Sequence, residues 1–255
     1  MHPRVFLDGF WRNDIENEVF VVMSFDAIYD PRWDHIFKPA IEKRPLANLS
    51  LRAVRVDNRR SGDSILTEIN HGIAHSQIVL ADISVTDRWQ HDGKSRWCRN
   101  GNVMYEVGLA LACRQSVEVV LVRDDSEPLL FDVSHIPVLS FNPQNPIESA
   151  ESIRRALEDR LRERNLLKDL RVTQILESLG PFEINLIRQH AHLANLGWKG
   201  PSYPPAVAIS LPSILEKCIL RLVKLQTGEH PDVYTWTTLG RIVADRLKSQ
   251  EKPAG

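Results

Sequence analysis

The chain has 255 residues, a formal net charge of −1, 43% hydrophobic and 25% charged residues, a balance ordinary for soluble globular proteins. That charge excludes a globally basic nucleic-acid binder, and no acidic run suggests a solvated tail. Cys98, Cys113 and Cys218 are widely spaced without a CxxC pair, so they imply neither a disulfide framework nor a zinc site and fit a reducing cytoplasm.

The opening HPRVFLDGFWRNDIENE is broken by charges before any apolar run develops, so it does not read as a signal peptide. Nothing has the apolar length of a membrane span. After this polar lead, Val19–Phe25 (VFVVMSF) reads as a first strand, apolar without alternation and so buried on both faces. A loop with Tyr29, Asp30, Pro31 and Trp33 opens a helix to about Lys43 whose stripe is Ile36, Phe37, Ala40 and Ile41. Leu51–Val56 alternates enough to be an edge strand. The turn Asp57–Ser64 then starts a helix capped by Asp63 or Ser64, with Ile65, Leu66, Ile69 and Ile73 on its buried side. Ile78–Leu80 and Val117–Val122 are two more buried strands, separated by a long polar loop, Ser84–Gly101, and a helix, Asn102–Cys113. A fifth strand falls near Pro137–Phe141. Strands alternating with helices at this spacing predict an α/β fold, a flavodoxin-like doubly wound parallel sheet in the order 2-1-3-4-5.

The helix Asn102–Cys113 is apolar almost all round, with Val103, Val107, Ala110 and Leu111 on one face, and Glu106 breaks the pattern. A lone carboxylate in a buried helix is costly to ionise without a partner. It also follows the carboxyl end of a strand, where open α/β sheets place their ligands. The alternative is a glutamate reaching solvent from the first turn, where the helix dipole favours it. The same topology brings Ser24, Phe25, Asp26, Asp82 and the helix start, with Asn102 and Tyr105, around one crevice. The loop before it, with Trp89, His91 and Trp97, is suited to a lid or a stacking wall.

MSFD after the first strand, SGDSILTEINHGIAHSQIVLADIS, and NVMYEVGLALA before a strand together resemble the nucleoside 2-deoxyribosyltransferase-like group, a fold neighbour of Toll/interleukin-1 receptor (TIR) domains. The resemblance covers residues 19–141. It implies that Glu106, in the ExG element of NVMYEVG, is the nucleophile or the glutamate that cleaves NAD, and that Asp82 is the acid after the third strand. The transferases carry a further Asp about six residues before that Glu, where this chain has Asn100. That departure argues against transfer between nucleosides and leaves glycosidic chemistry standing. The resemblance also implies a defence or signalling effector, and homo-oligomers that complete the pocket.

Ribosyl C–N cleavage passes through an oxocarbenium-like sugar, which one carboxylate can stabilise or capture. Nicotinamide leaves NAD from an already cationic ring and needs no general acid; a neutral base leaves better when protonated, and Asp26 and Asp82 are the nearby acids. NAD is thus the favoured substrate, and no cofactor is expected. His71 and His75 have metal-ligand spacing but no third ligand in sequence, so no metal is expected.

After Asn142–Pro146 a charged helix, Ile147–Arg164, carries the narrow stripe Ile153, Ala156, Leu157 and Leu161, its remaining charges reading as a solvated face. The division is then residues 1–165 for the α/β domain and 171–250 for a small α+β domain. In the latter, helices Pro181–Leu196 and Leu211–Lys224 precede a strand, turn, strand and final helix, and YTWTTLGRIVADRL resembles winged-helix domains. The candidate recognition helix carries Glu216 beside Lys217, Arg221 and Lys224, and the wing holds Glu229 and Asp232, so DNA is a partner that the charges do not favour. Two functions follow: cleavage of an N-glycosidic bond in a nucleotide or nucleoside, or a non-catalytic nucleotide sensor reporting through the small domain to DNA or protein.

Overall fold

The computed structural model describes residues 15–56, 65–129, 136–198, 203–224 and 232–250. The chain divides into two compact units, Met1–Asn165 and Leu166–Gly255. In the first, strands β1 (Glu18–Val22), β2 (Arg52–Val54), β3 (Ile78–Asp82), β6 (Val119–Arg123) and β7 (Val138–Ser140) form, among the described residues, a five-stranded sheet in the order β2-β1-β3-β6-β7. Every pairing is parallel, with Val19 opposite Ile78 and Val79 opposite Val119. Numbered within the sheet alone, the order is 2-1-3-4-5; β4 (Val85–His91) and β5 (Lys94–Arg99) stand apart as a hairpin.

Side chains alternate across the strands and divide the core in two. Val19, Val21, Ile78, Leu80, Val120 and Val122 pack on α1 and α4; Phe20, Val22, Val79, Ala81, Val119 and Leu121 pack on α2 and α3. Here α1 is the helical run of Ala27–Tyr29, Asp30–Arg32, Trp33–Phe37 and Lys38–Glu42, α2 is Ile65–His75, α3 is Gly101–Cys113 and α4 is Pro146–Ser178. The Trp33–Phe37 part of α1 is π-helical, with the Lys38 N–H donating to the Trp33 carbonyl. Pro39 has no N–H to return to the preceding turn, and the wider turn absorbs the mismatch. Residues 57–64, with the proposed caps Asp63 and Ser64, lie outside the described residues.

Two differences from the sequence reading concern charge. Arg154 and Arg164 of α4 are buried rather than solvated. Arg154 donates to the Arg44 and Pro45 carbonyls at 2.9 and 2.7 Å, and Arg164 to the Gln77 carbonyl at 2.7 Å. Arg114 donates to the carbonyls of Ile73, Ser76 and Gln77, and Glu118 sits between the two cations, 3.6 Å from Arg114 and 3.9 Å from Arg164. Burial pushes both guanidiniums down, and Glu118 opposes the shift. This buried triad ties the amino end of the sheet to α4.

The second unit contains the end of α4, then α5 (Pro181–His190), β8 (Asn195–Trp198), α6 (Pro205–Glu216), β9 (Leu220–Lys224), β10 (Asp232–Trp236) and α7 (Thr238–Ser249). Its antiparallel sheet has the order β8-β10-β9. Val172, Ile187, Leu211, Ile214, Tyr234 and Val243 are among its core residues. The helix expected over 211–224 ends at Glu216. Cys218 takes a left-handed φ of 56°, its N–H donates to Leu215 and the Ile219 N–H to Ile214, and the chain leaves as β9. That is a Schellman stop with cysteine where glycine is usual. The helix expected over 181–196 likewise stops at His190, and Asn195–Trp198 is strand. Among the described residues no helix is long and apolar enough to cross a membrane.

Candidate active site

Helix α3 starts where the chain returns to the carboxyl end of β3. Asn100 caps it, its side-chain oxygen accepting from the Asn102 and Val103 N–H groups at 2.9 and 3.2 Å, which satisfies donors that have no partner inside the helix. The amide of the same side chain donates to the Ser24 hydroxyl, just past β1, at 3.2 Å. One asparagine therefore fixes the helix start against the end of the neighbouring strand. Its structural role comes from being neutral: an amide both accepts and donates, whereas an ionised carboxylate only accepts.

Glu106 lies one turn on, four residues from Asn102 and so on the same side of the helix. Its residue is 5% exposed, and its carboxyl forms no hydrogen bond or ion pair with any described residue. Burial pushes its carboxyl up to about 7. Near neutral pH such a group switches between carboxylic acid and carboxylate, which suits proton transfer or stabilisation of an adjacent cation.

The other predicted residues divide. Ser24 joins Asn100 and Asn102 at the head of α3. Phe25 and Asp26 are exposed, Asp26 capping the first turn of α1 by accepting from the Ile28 N–H at 3.2 Å. Tyr105 is 60% exposed and about 100° round the helix from Glu106. Trp97 is half-buried on β5, its ring centroid 5.4 Å from the Arg99 guanidinium.

Asp82 does not join Glu106. By strand alternation it follows Ile78 and Leu80, on the sheet face opposite α3. Its carboxylate accepts from Arg32 at 2.8 Å, from the Ser84 N–H at 3.0 Å, and from the Ser84 hydroxyl. Burial pushes this carboxyl up, against the pull of Arg32 and Ser84. Arg32 also pairs with Asp124 at 2.5 Å and lies over the rings of Tyr29 and Phe141. Beside it an open cavity of about 470 Å³ is lined by Tyr29, Pro31, Arg32, His35, Asp124 and Gln144, among others. Arg32 was missed in the sequence because a lone arginine after Asp-Pro carries no motif.

The loop 84–101 is in fact an ordered hairpin clamped at its base. Buried Arg99 donates to both oxygens of Asp125 at 3.1 Å, and Asp125 also accepts from the Val85 N–H at 2.9 Å. Burial alone would raise the Asp125 carboxyl, but these donors outweigh it and hold it below the usual range. His71 and His75 stack at 4.1 Å, with the His75 Nδ1–H donating to the His71 carbonyl at 2.9 Å. Among the described residues no group of three or more His, Cys, Asp or Glu is placed to hold a metal ion. No family model and no curated protein matches the chain.

Proposed function

We propose that the first unit cleaves the N-glycosidic bond of a nucleotide or nucleoside, NAD foremost, with Glu106 as the carboxylate at the sugar. The observation that carries this reading is one buried carboxyl, without a partner among the described residues, in the first half of a helix that starts beside the carboxyl end of a parallel sheet. Folding alone gives no reason for it, since an apolar residue there would avoid the desolvation cost.

In the proposed step the C1′–N bond breaks and its electron pair leaves with the base. The developing oxocarbenium sugar is stabilised or captured by ionised Glu106, and water then adds to C1′ with loss of a proton. Asp82 is held by Arg32 and Ser84 on the other face, and Asp26 caps α1, so no second acid among the described residues stands ready to protonate a neutral base. That favours a leaving group that is already cationic, as nicotinamide is in NAD. In this reading Ser24 and Asn102, near the start of the same helix, would hydrogen-bond ribose hydroxyls.

The second unit, with three antiparallel strands and α5 to α7, supports a winged-helix-like regulatory role for a partner or a second copy of the chain. Its proposed DNA-reading segment divides into α6 and β9, and Lys217 is taken up by Glu183 at 3.2 Å, so recognition of duplex DNA there is not favoured. The test is incubation of the full chain with NAD and a panel of ribo- and deoxyribonucleosides, with chromatography of free base. Release of nicotinamide supports the proposal; saturable NAD binding without any released base would turn the reading to a nucleotide sensor, and exchange of bases between nucleosides to a transferase.

A further inference from the structure

The β4–β5 hairpin is the part of the first unit least accounted for by folding. Neither Trp89 nor Trp97 belongs to a hydrophobic cluster of the described residues. A two-stranded ribbon is marginal by itself in water, and among the described residues this one is tied to the domain by Arg99 and the Val85 N–H on Asp125 and by Arg88 on Glu127.

Cross-strand pairing sorts its side chains onto two faces. Arg88 lies opposite Trp97, and Gln90 opposite Ser95; Trp89 lies opposite Arg96, and His91 opposite Lys94. The Arg88–Trp97 face is turned to the domain, because Arg88 pairs with Glu127 and Trp97 is half-buried over buried Arg99. Strand alternation therefore turns Trp89, His91, Lys94 and Arg96 outward together, and all four are exposed, Trp89 by 44%.

The same face carries acids: His91 Nδ1 lies 3.0 Å from the Asp92 carboxylate, and the Asp87 carboxylate, still charged, accepts from the Arg88 N–H at 2.8 Å. The Lys94 and Arg96 side chains form no ion pair or hydrogen bond with any described residue. Beside the acids stands an exposed indole flanked by two cations that have no ion-pair partner among the described residues, on a ribbon whose outer strand edges pair with no other described strand.

We infer that this face binds single-stranded nucleic acid, Trp89 stacking on an unpaired base while Lys94 and Arg96 contact flanking phosphates. An aromatic ring beside cations is the pairing such strands select, because every base has a flat face and every linkage a negative charge. A duplex keeps its bases stacked on one another, so it would leave the indole without a role. A protein partner of this chemistry would be sought by more apolar neighbours around the tryptophan than the outward face provides. The inference stands independently of Glu106, which lies beyond the hairpin on α3.

The test is fluorescence anisotropy of a labelled oligothymidylate of about twelve nucleotides, titrated with the full chain at low and at physiological salt. Wild type is expected to bind saturably and more weakly as salt rises. Trp89→Ala is expected to weaken binding roughly tenfold, and Lys94→Glu with Arg96→Glu to abolish it and flatten the salt dependence. Ser95→Ala, on the inward face, is expected to bind as wild type does, and circular dichroism of each variant checks that it is folded. Absence of saturable binding by wild type overturns the inference. So does binding that is indifferent to both outward-face changes, or that a duplex competes for as well as a single strand does. Loss of self-association on sedimentation, without loss of oligonucleotide binding, would reassign the face to a second copy of the chain and overturn it as well.

Discussion

Glu106→Gln should make the protein more stable above neutral pH while leaving its stability at acid pH almost unchanged. A carboxyl raised by burial disfavours the ionised folded state. In the unfolded chain the group titrates near its ordinary 4.5, and in the folded chain near 7. Below 4.5 both states hold the proton and the group contributes no pH dependence. Between 4.5 and about 7 the unfolded state loses its proton first, so folding stability falls as pH rises, and the penalty is complete above about 7. The gap between these values corresponds to about 3 kcal/mol at roughly 1.4 kcal/mol per pH unit. Glutamine keeps the shape and cannot ionise, so the wild-type and variant stability curves should separate by about this amount between acid and alkaline conditions. Because the chain has two units, the assay is urea unfolding followed by hydrogen-exchange mass spectrometry on peptides covering residues 78–113. Parallel pH profiles for the two proteins would refute the reasoning, since they would mean that Glu106 ionises in the folded chain as easily as in the unfolded one.

Arg99→Met leaves Asp125 buried without its guanidinium, and is expected to cost about 3–5 kcal/mol and to speed amide exchange throughout β4 and β5. Unchanged protection there would contradict the clamp. Glu118→Gln leaves Arg114 and Arg164 without their carboxylate, with an expected loss of similar size, about 3–5 kcal/mol, read as a lower urea midpoint for the first unit. Cys218→Gly relieves a left-handed backbone and should raise the stability of the second unit by about 1 kcal/mol, measured as a higher urea midpoint in its β9 peptides.

The parallel sheet was legible because its strands are buried on both faces, and runs such as VFVV and IVLA need no alternation to announce themselves. The antiparallel elements were harder. Asp92-Gly93 between VTDRWQH and KSRWCR is a hairpin signal, and both residues take positive φ, 50° and 68°. Its strands are so polar that they read as a loop. In the second unit, Leu211, Ile214, Leu215 and Cys218 keep a helical period past the point where the helix ends, and the stop rests on a cysteine in a conformation that sequence assigns to glycine. At the site, an isolated acid in an apolar helix made Glu106 visible, whereas Asp82, at the end of an apolar strand, is engaged on the other face of the sheet. Its engagement depends on Arg32, fifty residues away in sequence, and no local pattern encodes that pairing.

The central claim is that Glu106 acts on a glycosidic bond, and comparing base release from NAD by wild type and Glu106→Gln tests it most directly. Both proteins should be folded, and Glu106→Gln at least as stable at neutral pH, so a lost activity cannot be ascribed to lost structure. The account predicts nicotinamide release by wild type that rises as pH passes through about 7, and a loss of at least about a hundredfold in the variant. Undiminished release by Glu106→Gln would contradict it.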